Sequence, residues 1–259
     1  MLADFALLTP VLAVFAGLAC GFLNTVASSG SAVSLPILIM SGLDPVSANA
    51  TNRIPVLIGS LSSVYSMHRR KAMPWPLVWK AAVPATIGAV LGAIVAELIP
   101  SRQFGLLITG AVLIALVLLF THLKRAIENA TAGDARFGLR ENAALFAVGV
   151  WLGLIVLDGA TYLLLTLTLL VGLSLAQANA VKTALLAPTT AISMVVFSWN
   201  GDIDWTLGAL MGAGSLAGGM LGARLATSPK AKQVVFPLLV VILVGEIVHL
   251  GWHYIFDTH

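Results

Sequence analysis

Charge is what this chain has least of. Asp, Glu, Lys and Arg together make up 10% of its 259 residues, against about a quarter in a soluble domain. Mean hydropathy is +0.98, which excludes an ordinary soluble fold. Short segments alternating apolar with polar are also missing, and with them the signature of a membrane β-barrel. The single cysteine, Cys20, rules out an intrachain disulfide and a cysteine-built metal cluster. The histidines (His68, His122, His249, His253 and His259) offer no pair at metal-ligand spacing joined by a carboxylate. No P-loop or dinucleotide-binding glycine pattern occurs, which argues against an ATP-driven pump in this chain. No nucleophile motif with a supporting base is present either. The expectation is therefore a protein that is not an enzyme and uses no cofactor. The first Lys or Arg is Arg53, so the amino terminus lacks the basic region of a cleavable signal, and the first apolar run is expected to stay as a span. The net charge of +3 comes mostly from residues in short loops, where membrane topology explains it better than nucleic acid does.

What is present is a series of apolar runs near 6–23, 30–41, 48–67, 75–97 and 103–121, then 142–157, 160–172, 177–199, 205–226 and 234–251. The polar stretch between them predicts a first membrane repeat over 1–121, a cytoplasmic linker over 122–141 and a second repeat over 142–259. A gapless shift of 130 residues superposes the two sets. It places Gly42-Leu43 on Gly172-Leu173, Ala48-Asn49-Ala50 on Ala178-Asn179-Ala180, Trp75 on Trp205, and Gly88 and Gly92 on Gly218 and Gly222. An odd number of spans per copy would invert the second relative to the first. With ten spans, His68-Arg69-Arg70-Lys71, Lys124, Arg125, Arg136, Arg140, Lys230 and Lys232 fall on one side, and Arg102, Asp202 and Asp204 on the other. The positive-inside rule then puts both termini outside the cytoplasm of a multi-pass protein of the cell (inner) membrane. Trp75, Trp79, Trp199, Trp205 and Trp252 sit near run ends, as an interfacial belt requires. The expected fold is an all-α polytopic membrane protein of two inverted repeats, about five helices each, with short interrupted helices near the midplane.

The two short runs carry the functional signal, because a helix rises about 1.5 Å per residue and the hydrocarbon core is about 30 Å thick. Each is preceded by a polar turn: Asn24, Thr25, Ser28, Ser29, Gly30 and Ser31 in the first half, Asp158, Gly159 and Thr161 in the second. The shift sets Ser28 opposite Asp158. Interrupted segments in matching places of two halves point to a transporter binding site, where irregular backbone at depth lines a cavity or is buried in protein. The helices that follow add Asn49, Asn52 and Arg53, and Asn179, Lys182 and Thr183, at helical spacing. Each half thus brings one cation, either facing a site or snorkelling from a helix end. Arg holds an oxyanion in a fork and Lys acts as a point charge. Asp158 either accepts a coupling proton or pairs with Arg53 or Lys182. These fifteen residues form the candidate substrate site.

The stretch SSGSAVSLPILIMSGLDPVSANATNR, followed by a long apolar helix and HRRK, resembles the sulfite exporter TauE/SafE family, also called the toluene sulfonate uptake permeases. The likeness rests on Gly30, Pro36, Gly42, Ala48 and Thr51 in the first repeat and on Gly172, Ala178 and Thr183 in the second. The chain departs from the family's run of glycines, having Ser28-Ser29-Gly30-Ser31 and Asp158-Gly159-Ala160-Thr161. The resemblance implies transport of a small sulfur-containing anion such as sulfite, sulfoacetate or another organosulfonate, driven by an ion gradient. A carboxylate or inorganic anion as substrate, or a non-transporting assembly or sensor role, stays open as the alternative. Expected partners are the anion and the lipid bilayer; a coupling proton and a homodimer are allowed, not required.

Overall fold

The computed structural model describes residues 2–100, 103, 104, 107 and 135–228, with side chains from residue 10 onward. The predicted runs 103–121 and 234–251, the linker up to residue 134, and Trp252 lie wholly or mostly outside the described residues. Most of the described residues are helical, and no strand occurs among them. In order they are α1 (Leu2–Val26), α2 (Gly30–Met40), α3 (Pro45–Thr51), α4 (Arg53–Arg69), α5 (Trp75–Glu97), α6 (Leu139–Leu154), α7 (Gly159–Leu165, continued by a π-helical turn over Thr166–Leu170), α8 (Leu175–Asn200) and α9 (Trp205–Ala226).

Side-chain size is distributed as a bilayer demands. On α5 the outward stripe is Trp79, Val83, Ile87, Leu91 and Ile94, all exposed, while Ala81, Ala85, Gly88, Ala89, Gly92 and Ala93 are buried. Large apolar groups face out because lipid is as apolar as they are. Small ones face in because close backbone approach gives the packing. By length and hydropathy α5, α8 and α9 can each cross a membrane. α2, at 11 residues, is about 16 Å long and cannot do so alone.

Helix–helix contacts join the halves at their ends. α1 packs along α9, and α5 packs along α6. A Cβ on Gly218 would run into the Leu18 carbonyl, and one on Gly92 into that of Val150, so main chains touch at both seams. α4 and α8 meet between the two seams, α4 also against α9 and α8 also against α5.

The 130-residue correspondence extends to backbone conformation. Gly42 and Gly172 both adopt positive φ (97° and 83°), and Ser28 and Asp158 both sit in the left-handed region (63° and 57°). The residues two after these glycines, Asp44 and Ser174, both cap the next helix. One prediction needs correcting. The run 48–67 is two helices meeting at Asn52, because Pro55 has no N–H to continue the hydrogen-bond ladder past Thr51, whereas its counterpart in α8 continues through Lys182. A smaller shift is that α6 starts at Leu139, inside the expected linker, with Glu141 accepting from the Gly138 N–H.

Gly218→Leu places a branched side chain against the main chain of α1. It is expected to lower stability by about 1–3 kcal/mol, read as a fall in melting temperature of the purified protein in detergent; an unchanged melting curve would refute the seam.

Candidate functional site

Two helix ends create the site. α1 stops at Val26 and α6 at Leu154, and each leaves carbonyls without intrahelical partners. In water such groups are hydrated, but inside a membrane protein they need a donor. Lys182 supplies it to α1: its Nζ donates to the Asn24 carbonyl at 2.7 Å and to Ser28 Oγ at 3.0 Å. Arg53 supplies it to α6. Its Nη1 donates to the Leu152 carbonyl at 3.0 Å, and its Nη2 to the carbonyls of Gly153 at 2.5 Å and Leu154 at 3.5 Å. Residues 24 and 154 are themselves 130 apart, so each half finishes the first helix of the other with a cation. The negative end of the helix dipole adds to both contacts. The Arg53 guanidinium also lies 4.7 Å from the centre of the Phe197 ring. Arg53 and Lys182 are both fully buried, at 0% exposure.

Asn49 completes the second junction. Its Nδ2 donates to the Leu154 carbonyl at 3.2 Å, and its Oδ1 accepts from the Val156 N–H at 3.1 Å. At the first junction Asn24 Oδ1 accepts from the Gly30 N–H at 2.9 Å, which ties the end of α1 to the start of α2. Ser34 then links α2 to the break before α4, donating to Asn52 Oδ1 at 2.6 Å. The two turns touch where Thr161 Oγ1 donates to the Ser28 carbonyl at 3.4 Å. Ser34 and Phe197 were not singled out from the sequence. Ser34's only signal is that it is polar within an apolar run, and Phe197 has none.

Some predicted residues stand apart. The Thr25 hydroxyl is 2.6 Å from Ser63 Oγ, which donates to the Gly219 carbonyl, so Thr25 serves the seam with α9. Thr183 bonds back along its own helix to the Asn179 carbonyl. Asn179 is only half-buried, unlike its counterpart Asn49.

Unsatisfied polarity is concentrated in the candidate set. Among the described residues, six buried side-chain atoms lack a hydrogen-bond partner; five are Ser29 Oγ, Ser31 Oγ, Asn52 Nδ2, Arg53 Nε and Asp158 Oδ2. Buried polar groups are nearly always paired, and these five belong to the two turns and to the start of α4. Four of the five can donate; Asp158, if ionised, only accepts. The ion pair considered for Asp158 does not form: among the described residues neither Arg53 nor Lys182 bonds to it. Ser28 and Asp158 hold left-handed backbone without being glycine, at about 1–2 kcal/mol each. Strain of this kind gathers at functional sites.

Fold and site together define a helical membrane protein in which interrupted helices bury a polar centre. Within that class, the chain belongs to the TauE/SafE family of membrane transporters: residues 13–247 match the family described as sulfite exporter TauE/SafE. Similar proteins include the "Probable membrane transporter protein ORF9" of Sinorhizobium sp, 27% identical and covering 89% of this chain and 87% of that one. A "Probable membrane transporter protein" of Haemophilus influenzae is 27% identical over 87% and 88%. The "Probable membrane transporter protein YfcA" of Escherichia coli is 24% identical over 88% and 84%. No solved structure matches the chain.

Arg53→Lys keeps the charge but loses the fork. It is expected to leave carbonyls of α6 bare and to destabilise by about 1–2 kcal/mol, with faster hydrogen exchange at residues 152–156. A variant that melts and exchanges like the wild type would show that Arg53 does not hold this helix end.

Proposed function

We propose that this protein is a secondary transporter that moves a small sulfur-containing anion, such as sulfite, sulfoacetate or another organosulfonate, driven by an ion gradient. The observation that carries the reading is the group of unpartnered donors at Ser29, Ser31 and Asn52, beside Lys182, whose ammonium already bonds to Ser28 of the same turn. Lys182 makes two hydrogen bonds there, and an ammonium has three protons. Its third can turn to an oxyanion held by the serine hydroxyls. The donors suit a tetrahedral or pyramidal oxyanion, and the family's description supplies the sulfur chemistry.

In this reading the two repeats are inverted, both termini lie outside the cytoplasm of the cell membrane, and rocking of one repeat against the other exposes the site alternately. The matched turns at Ser28 and Asp158, with their matched cationic caps, are what such a duplication leaves behind.

Purified protein in liposomes is expected to accumulate radiolabelled sulfite or sulfoacetate under an imposed ion gradient. Sulfonates should compete more strongly than carboxylates. Lys182→Ala removes a charge-assisted hydrogen bond worth about 1.5–3 kcal/mol, which corresponds to roughly tenfold to a hundredfold weaker apparent affinity. Liposomes that move no sulfur anion, by gradient or by exchange, would end this reading.

A further inference from the structure

The two turns match in backbone and differ in chemistry, and that difference divides the site. We propose that the turn at Asp158 is a subsite for a monovalent cation, and that the anion and this cation occupy the two turns together. The inference rests on the transport reading above and adds to it which residue takes the coupling ion.

Ser28 and Asp158 occupy the same place: after the end of a capped helix, in left-handed backbone, ahead of a short helix. At the first turn the facing cation reaches the turn side chain, since Lys182 bonds to Ser28 Oγ as well as to the Asn24 carbonyl. The same arrangement at the second turn would set Arg53 on Asp158. Instead both Nη groups of Arg53 go to the carbonyls of residues 152–154. Asp158 is left 4% exposed, with Oδ2 buried and without a partner among the described residues. Its neighbouring main chain does not serve it either, because the Thr161 and Tyr162 N–H groups donate to the Asp158 carbonyl and not to its carboxyl.

A buried carboxylate without a donor repels an anion and attracts a positive charge. Beside the hydroxyls and ammonium of the first turn, it gives one positive-seeking and one negative-seeking half, joined by the Thr161–Ser28 bond. A single carboxylate falls short of the oxygen set that calcium requires, and magnesium would keep its water shell. The cation is therefore monovalent: a proton on the carboxyl, or sodium beside it. Occupying both halves at once cancels charge before the site is closed off from water. Among the described residues, the ionisable groups on the elements around Asp158 are few. Tyr162 lies on its own helix, Lys182 is on α8, and α6 carries Arg140 and Glu141 in its first turn, at the end away from the site.

Linkage is reciprocal: a cation that favours the anion must itself be favoured by it. The test measures binding of sulfoacetate and ethanesulfonate, which keep constant charge between about pH 6 and 9, to the full-length protein in detergent. If a proton fills the subsite, wild-type affinity falls as pH rises, by up to about tenfold per unit once the carboxyl is ionised. If sodium fills it, replacing choline chloride by sodium chloride at alkaline pH raises affinity. Asp158→Asn should flatten both responses, and Asp158→Glu should restore them. Wild-type binding indifferent to pH and sodium would overturn the proposal. So would an Asn variant that keeps the wild-type responses. A third overturning result is an Asn variant that weakens only an aminosulfonate, for the carboxylate would then bind the substrate's own ammonium. Failure of the wild type to bind either sulfonate under any condition counts against the anion reading instead, which separates the two.

Discussion

A helix that ends inside a membrane protein leaves carbonyls facing a medium with nothing to donate, and the centre of this molecule is arranged around two such ends. α1 stops at Val26 and α6 at Leu154, with buried residues following each end. Leaving those carbonyls bare would cost several kcal/mol per group. Burying Lys182 or Arg53 alone would be costly as well. Placing each cation on the other's problem resolves both, because the carbonyls gain strong donors and the cations gain acceptors at the negative end of a helix dipole. The short helices α2 and α7, the left-handed turns at Ser28 and Asp158, and five of the six unpartnered buried atoms among the described residues belong to these two junctions.

The surrounding architecture keeps that centre closely packed. Main-chain contact at the α1–α9 and α5–α6 seams depends on glycine and alanine facing inward, and this brings α4 and α8 close enough for one residue on each to reach across. Larger residues on the inner faces would move the cations away from the helix ends they cover. The small-residue packing and the polar centre are thus one design constraint seen at two depths.

Much of this was legible in the residues. The 130-residue shift was visible in Trp75 and Trp205 and in the paired Ala-Asn-Ala, and it located turns whose backbone angles agree. Gly42 and Gly172 were readable because a positive φ favours a residue without Cβ. The polar residues of the turns stood out because polarity is rare in such a chain. The partners of Arg53 and Lys182 were not legible, because a main-chain carbonyl has no letter in a sequence; two cations near two turns read as waiting for an anion. The interruption at Asn52 comes down to one missing donor. Asn49, Asn52 and Arg53 fit one helical face, and Pro55 lacks the N–H that would continue the ladder past Thr51. Asp158 could be flagged as unusual, but its lack of a counter-charge depends on where Arg53 goes.

The exchange of caps bears on how the molecule is made. Ribosomes deliver α1 to the bilayer well before the segment containing Lys182 exists, so for most of synthesis the Asn24 carbonyl awaits a donor more than 150 residues downstream. Arg53 likewise is inserted early and meets its carbonyls on α6 only after the intervening chain has been threaded. The nascent first half is therefore an unfinished object, holding both an unclosed helix end and an uncommitted charge. Only the second half, made later, closes both at once.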